Sequence, residues 1–177
     1  MANEKTKKLI TAAVTGALYA ALTMLLAPVS YGPVQFRASE ALCVLPYFAP
    51  YTAWGLFFGC AAANLLSTAG IFDIVFGSAA TLISCLVIAA VGRRGRDDVK
   101  SRVMAVLSPV IINGIIVGAT LTKAMSGLSV LKNFGAFLIY AGQVALGELA
   151  VMFVLGLPLM SWLKKHPNLI DKSENEE

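Results

Sequence analysis

The sequence is poor in charged residues. Only 14% of its 177 residues are Asp, Glu, Lys or Arg, whereas a soluble globular domain carries about 25%. Hydrophobic residues make up 58% of the chain, and the mean hydropathy is +0.76. A soluble domain of this composition would expose too much apolar surface, and the short alternating segments of a membrane β-barrel are absent.

Several kinds of chemistry are also missing. The chain has no GxxxxGK[ST] phosphate loop, no cluster of metal ligands and no nucleophile paired with histidine, since its one histidine, His166, lies in the polar tail. We therefore predict no enzyme activity, no ATP hydrolysis by this chain, no metal and no cofactor. Cys43, Cys60 and Cys85 lie in apolar runs without CxxC spacing, which predicts packing residues.

The net charge of +4 does not indicate a nucleic-acid partner. The basic residues lie at the chain ends and in one loop, and they do not form a face interleaved with aromatic side chains. What the sequence has in abundance is long uncharged runs, over residues 9–36, 41–72, 74–92 and 103–122. Each is long enough for a helix to cross a bilayer, so the sequence predicts an all-α, polytopic membrane protein.

Six transmembrane helices in a single membrane domain, 1–177, fit this pattern. We predict them at residues 7–27, 38–49, 52–67, 71–91, 103–122 and 134–164, followed by a polar cytoplasmic tail at 165–177. The second and third are short because Pro46 and Pro50 interrupt the run, and Pro158 predicts a kink in the sixth.

Lys and Arg predict the orientation in the membrane. They concentrate in the N-terminal segment, in the loop at 93–102 and in the segment 164–172. The positive-inside rule places all three in the cytoplasm. We therefore expect a plasma-membrane protein with both termini on the cytoplasmic side. The turns at 31–36, 67–70 and 123–132 then face outward.

The first helix carries two ladders of small residues at four-residue spacing. Such ladders let another helix backbone approach closely in lipid. They serve either packing inside this chain or docking to a separate membrane subunit. Their members are Ala12, Gly16 and Ala20 in one ladder and Ala13, Ala17 and Ala21 in the other.

Polar residues between Tyr31 and Asp73 predict one part of a binding site. Arg37 and Glu40 follow a Gly-Pro turn, and they either pair as an i,i+3 ion pair that anchors the loop or contact a ligand. Asp73 either caps its helix or meets a cationic ligand group. Asn64, near the end of the third helix, belongs to the same candidate set. Charges and irregular backbone at membrane depth are expected to line a cavity or pack on protein.

The last helix predicts the other part. Tyr140, Gln143 and Glu148 share one side of it with Gly147, and Asn113 lies on the fifth helix. A stacking ring, an amide, a carboxylate and a gap suit a flat heterocycle that forms hydrogen bonds. The alternative is that Gln143, Glu148 and Asn113 only join neighbouring helices.

Three strings resemble a known family. YGPVQFRASEALCVLPYF, GLFFGCAAANLL and IFDIVFGSAATLIS, which cover most of residues 29–86, are similar to the QueT family. Its members are substrate-binding S components of energy-coupling-factor (ECF) transporters, assigned to queuosine precursors. The resemblance implies an S-component-like bundle with an outward-facing site.

The resemblance also implies partners and a cargo. They would be an ECF coupling membrane protein that docks on the alanine ladders, two ABC-type ATPases, and a 7-deazaguanine-type compound such as preQ1, preQ0 or queuine. Glu148 or Glu40 would then accept from the guanine-like N–H pair, Gln143 or Asn113 would meet the carbonyl, and Asp73 would suit an aminomethyl cation. The alternatives are an S component for another vitamin-like molecule and a structural membrane subunit without a ligand.

Overall fold

The computed structural model describes residues 3–32, 34–67, 69–95, 97–127 and 129–166, and every regular element in these ranges is helical. The α-helices run in the order α1 (Glu4–Leu25), α2 (Ala27–Ser30), α3 (Thr52–Ala63), α4 (Ser78–Arg93), α5 (Val99–Ser126), α6 (Phe134–Val151) and α7 (Leu157–Lys165). The prediction of an all-α membrane bundle is confirmed. Most of the predicted tail, residues 167–177, lies outside the described residues.

Two segments of the chain wind more tightly than an α-helix. Ala38–Tyr47 is a 3₁₀ helix, and α3 continues into the short 3₁₀ helix Asn64–Leu66. Pro46 lies within the first of these and lacks an N–H for the α-helical ladder. The element predicted at 38–49 therefore forms as a 3₁₀ helix and not as an α-helix.

Two other segments wind more loosely. Asp73–Gly77 and Met152–Gly156 are single π-helical turns, and each runs directly into an α-helix, α4 and α7 respectively. Pro158 accounts for the second, because its ring clashes with the carbonyl four residues earlier and a widened turn relieves that clash. The first turn places Asp73 inside the bundle, where it is fully buried.

Four helical stretches are long and apolar enough to cross a membrane: Glu4–Leu25, Asp73–Arg93, Val99–Ser126 and Phe134–Lys165. The shorter apolar helix Thr52–Leu66 spans about 22 Å at 1.5 Å per residue, and the 10 residues of the Ala38–Tyr47 helix span about 20 Å. Both are shorter than the ~30 Å hydrocarbon core. Six crossings and cytoplasmic termini therefore stay predictions.

The interior consists of two apolar clusters. The larger lies between α1, the Ala38–Tyr47 helix, α3, α4 and the end of the chain, and Tyr19, Leu56 and Met160 are among its buried residues. The smaller joins α4, α5 and α6 around Val117 and Val144. The three cysteines are buried free thiols, as predicted from their apolar setting.

Candidate functional site

A buried ion pair joins two distant parts of the chain. Arg37 Nη2 donates to Asp73 Oδ2 at 2.9 Å, and the two side chains are 5% and 0% exposed. Ser67 Oγ donates to the same carboxylate oxygen at 2.6 Å, and Asn64 Nδ2 donates to the backbone carbonyl of Asp73 at 2.9 Å. The Arg37 guanidinium also lies over the Tyr31 ring, 5.4 Å from its centroid. Three of the sequence-predicted site residues, Arg37, Asn64 and Asp73, thus form one cluster.

Glu40 does not pair with Arg37, and the predicted i,i+3 ion pair is wrong. Its Oε1 instead accepts a hydrogen bond from the Tyr19 hydroxyl of α1, and its Oε2 accepts from Cys43 Sγ at 3.1 Å. Thr81 Oγ1 lies 3.4 Å from Oε1. Since both carboxylate oxygens already have donors, Glu40 acts as a link between helices.

Tyr19 is the residue that sequence reasoning missed. It is fully buried, although it lies in the same uncharged helix as the alanine ladders. The only signal was a lone phenol hydroxyl in an apolar run, and a buried hydroxyl of this kind needs a partner. Thr23, four residues on, shares a hydrogen bond of 2.6 Å with Ser39, so α1 holds the start of the Ala38–Tyr47 helix at two points.

A second polar pair lies between α5 and α6. Asn113 Nδ2 donates to Glu148 Oε1 at 2.7 Å, and the residues are 3% and 4% exposed. Neither Asn113 Oδ1 nor Glu148 Oε2 has a hydrogen-bond partner among the described residues. Leaving a buried polar atom unpaired costs about 1–3 kcal/mol, and more for a charged group. These two oxygens are therefore candidates to meet a ligand.

Gln143 and Tyr140 of α6 are half-buried. Gln143 Oε1 is buried and unpaired within the described part of the chain. Tyr140 packs against the smaller apolar cluster. The pairing of Asn113 with Glu148 bears out the helix-joining interpretation for one oxygen of Glu148, while the other oxygen leaves the ligand interpretation open.

The loop after α2 brings the two polar clusters together. A Cβ atom at Gly147 would collide with the backbone carbonyl of Val34, so only glycine lets the loop lie on α6 at this point. The next residue, Gln35, is buried and adopts a left-handed φ of 46°, a conformation that is uncommon for residues other than glycine. The loop residues that lead into Arg37 and Glu40 thus lie against the turn of α6 that carries Glu148.

Further unpaired atoms lie in the cluster around Arg37 and Asp73. Asn64 Oδ1, Asp73 Oδ1 and Arg37 Nε are buried without a hydrogen-bond partner in the described ranges. The set is rich in acceptors, with one N–H donor from the guanidinium. No group of three His, Cys, Asp or Glu in the described residues has the arrangement for a metal ion. The arrangement suits the binding of a small polar molecule that donates several hydrogen bonds.

The two small-residue ladders of α1 face different surroundings. A Cβ at Gly16 would collide with the Gly55 carbonyl of α3, so the ladder of Ala12, Gly16 and Ala20 is used for packing within the chain. The ladder of Ala13, Ala17 and Ala21 is exposed. A groove of about 400 Å³ runs between α1 and α3, and its lining includes Ala13, Ala17 and Trp54.

These features define a polytopic helical membrane protein with charged and amide groups enclosed in its apolar bundle. The chain matches the family described as QueT transporter over residues 9–165, and it belongs to that family. It is similar to the queuosine precursor transporter QueT of Lactococcus lactis subsp. cremoris (strain MG1363), with 38% identity over 85 residues. That alignment covers 47% of this chain and 50% of the relative, so the chain spans about half the length of the curated relative that it matches. No solved structure matches the chain. The family resemblance drawn from the sequence is confirmed.

Proposed function

We propose that the chain is the substrate-binding S component of an ECF-type importer, which captures a queuosine precursor outside the cell and releases it into the cytoplasm. Membership of the QueT transporter family supports this proposal, as does the name of the Lactococcus relative. The observation that carries it is the buried Asn113–Glu148 pair, with one unpaired oxygen on each residue. A bundle surrounded by lipid has no structural reason to keep two acceptors without donors.

The atoms that lack partners support a 7-deazaguanine as the ligand. A 7-deazaguanine carries ring and exocyclic N–H donors, a carbonyl acceptor and a flat apolar face. Glu148 and Asn113 supply acceptors and Gln143 supplies a side-chain amide, while Tyr140 lies one turn earlier on α6 as a stacking surface. Arg37, Asp73 and Asn64, which are hydrogen-bonded to one another, are the proposed second part of the site. Both oxygens of Glu40 already accept hydrogen bonds, so we assign it the role of holding the neighbouring segment in place and not of contacting the ligand.

Thermal unfolding of the detergent-purified protein tests the binding function. The compounds are preQ0, preQ1, queuine, guanine, riboflavin and biotin. A ligand at 100 times its Kd adds about 2.7 kcal/mol to the free energy of unfolding. We expect stabilisation by the deazaguanines alone. Stabilisation by riboflavin or biotin instead would indicate an S component for another vitamin-like molecule, and no stabilisation by any compound would favour a structural membrane subunit.

Docking to partners is the second half of the proposal. The partners are an ECF coupling membrane protein, which would pack on the exposed ladder of Ala13, Ala17 and Ala21, and two separate ABC-type ATPases, which would hydrolyse the ATP. Exposed small residues on a lipid-facing helix favour close helix approach. The orientation expected is a multi-pass plasma-membrane protein with both termini in the cytoplasm, which terminal reporter fusions would test.

A bulky residue on the ladder separates docking from ligand binding. We expect Ala17→Leu to abolish co-purification with the coupling protein while ligand-induced stabilisation stays unchanged. Ala90→Leu is the matched control, since Ala90 is an exposed alanine on α4 away from the ladder. If Ala17→Leu and Ala90→Leu co-purify with the coupling protein equally well, the ladder is not its docking surface.

A further inference from the structure

We infer that Glu148, Asn113 and Arg37 together read one edge of the ligand, and that the exocyclic amino group on this edge determines specificity. The inference rests on the proposed function and deepens it. Its basis is three of the buried unpaired atoms, Asn113 Oδ1, Glu148 Oε2 and Arg37 Nε, together with the orientation in which their neighbours hold them.

The orientation of the Asn113 amide follows from its partner. A carboxylate accepts hydrogen bonds, so the amide nitrogen is the atom that faces Glu148 Oε1 at 2.7 Å. The amide oxygen is then free to accept. Glu148 Oε2 belongs to the same hydrogen-bonded pair and is also free, so two acceptors stand on neighbouring helices, α5 and α6, with both side chains at least nine-tenths buried.

The single donor comes from the loop. Arg37 uses Nη2 for Asp73, and its Nε–H has no partner in the described part of the chain. The loop lies on α6 with the backbone of Gln35, two residues before Arg37, against Gly147, the residue before Glu148. Two acceptors and one donor complement an edge that presents an amino N–H, a ring N–H and a carbonyl oxygen. A 2-amino-pyrimidin-4-one ring, as in 7-deazaguanine, presents these three groups in a row.

The other carboxylates do not compete for this role. Both oxygens of Glu40 already accept from Tyr19 and Cys43. Asp73 keeps an unpaired Oδ1, but its charge is balanced by Arg37, and its Oδ2 receives a further hydrogen bond from Ser67. A cationic substituent elsewhere on the ligand therefore gains little from Asp73, whereas loss of the 2-amino group leaves a buried acceptor unpaired. Sites built around a hydrogen bond reject analogues that lack the group.

The decisive experiment compares two ligands on the wild-type protein. 7-Deazaguanine and 7-deazahypoxanthine differ only in the 2-amino group, and their Kd values can be measured by calorimetry in detergent. We expect 7-deazaguanine to bind at least about tenfold more tightly, since 7-deazahypoxanthine leaves a buried acceptor without a donor. A ratio below tenfold overturns the inference and leaves the proposed function standing. Failure of both compounds, and of preQ0, preQ1 and queuine, to bind overturns the proposed function itself.

A variant then tests which residue reads the amino group. Glu148→Gln places an N–H where the carboxylate oxygen stood, so it should weaken 7-deazaguanine and bring the ratio near one. Because glutamine has the same size and keeps an acceptor for Asn113 Nδ2, the thermal unfolding of the variant should match that of the wild type, which excludes misfolding. Thr122→Val is the matched control, since Thr122 is buried on α5 and its hydroxyl bonds only Gly118 O of its own helix. If Glu148→Gln weakens both compounds equally, or abolishes both, Glu148 does not read the amino group and the inference is overturned.

Discussion

Tyr19 of α1 donates a hydrogen bond to Glu40, a residue 21 positions later at the start of the Ala38–Tyr47 helix. Tyr19 is fully buried and Glu40 is 1% exposed. The same helix α1 exposes Ala13, Ala17 and Ala21 on its outer surface. One helix thus connects the proposed docking surface with the segment that carries Arg37 and Glu40.

Removal of the Tyr19 hydroxyl should destabilise the fold. Tyr19→Phe leaves the buried Glu40 carboxylate with only the weaker contacts from Thr81 and Cys43. Hydrogen bonds to charged groups contribute about 1.5–3 kcal/mol, so we expect a loss of that size in the free energy of unfolding, measured by reversible unfolding in mixed detergent. Thr15→Val, which removes a hydroxyl bonded to the Thr11 carbonyl of the same helix, should change it by less than about 1 kcal/mol. Equal effects would show that the link to Glu40 adds nothing.

Removing either partner of the Arg37–Asp73 pair should lower the free energy of unfolding. Arg37→Gln and Asp73→Asn each leave one buried charge without its partner, which typically lowers the free energy of unfolding by about 3–5 kcal/mol. The double variant should lose clearly less than the sum, because no uncompensated charge remains. The partly exposed pair Lys8–Glu4, at 3.3 Å, is the control, and Lys8→Ala should cost less than about 1 kcal/mol. Additive losses in the double-mutant cycle would contradict a direct ion pair.

Close contact between α1 and α3 predicts that Gly16 does not tolerate a side chain, whereas a glycine in open space does. Gly16→Ala puts a methyl group into the Gly55 carbonyl, so the helices must separate and the unfolding temperature should fall. Gly142→Ala, at an exposed position on α6 with open space around it, should be neutral or add about 0.5–1 kcal/mol. Thermal unfolding of both variants decides this, and tolerance of Gly16→Ala would contradict the contact.

Acid stability should depend on Asp97, in the loop between α4 and α5. Asp97 Oδ1 accepts from Arg102 Nε at 2.7 Å and its Oδ2 lies 2.7 Å from Lys164 Nζ. The hydrogen bond from Arg102 lowers the pKa of Asp97 below its usual value, and Lys164 adds to this. A carboxyl group with a lowered folded-state pKa contributes stability above its unfolded pKa of about 3.9 and loses it as pH falls through the folded value.

The test is an acid titration of wild type and Asp97→Asn. We expect the variant to unfold at a lower temperature at pH 7 and the two curves to converge once the pH has fallen below the lowered folded-state pKa of Asp97, where Asp97 is protonated in both states. A constant difference between the two curves from neutral to acid pH would show that the charge of Asp97 contributes no stability.

Several features could be predicted from the sequence because they depend on composition along the chain. Long uncharged runs predict membrane helices wherever they occur, since the hydrocarbon core requires about 20 apolar residues. Rare polar residues in such runs predict a site, and Arg37, Asp73, Asn113 and Glu148 are all buried in the structure. Their roles as ligand contacts stay predictions.

The partners of those residues could not be predicted, because they depend on separations through space. Arg37 has Glu40 three positions away in sequence, yet it pairs with Asp73, 36 positions away. The π-helical turn at Asp73–Gly77 and the contact of the Val34 carbonyl with Gly147 set the positions of Asp73 and of the loop before Arg37. Tyr19 gave almost no signal, since the sequence does not show whether a single phenol in an apolar helix faces lipid or a polar partner.

The sequence alone determined that this chain is a helical membrane protein of the QueT transporter family, because hydropathy and local motifs are properties of the chain itself. It also contained both small-residue ladders of α1, which are equivalent as patterns. Only the tertiary structure decided which one is used, since the glycines of α3 meet Gly16 and leave Ala13, Ala17 and Ala21 exposed. The tertiary structure also decided which carboxylate oxygens are hydrogen-bonded and which are not. A buried carboxylate pairs with donors that lie close in space, and these can be distant in sequence.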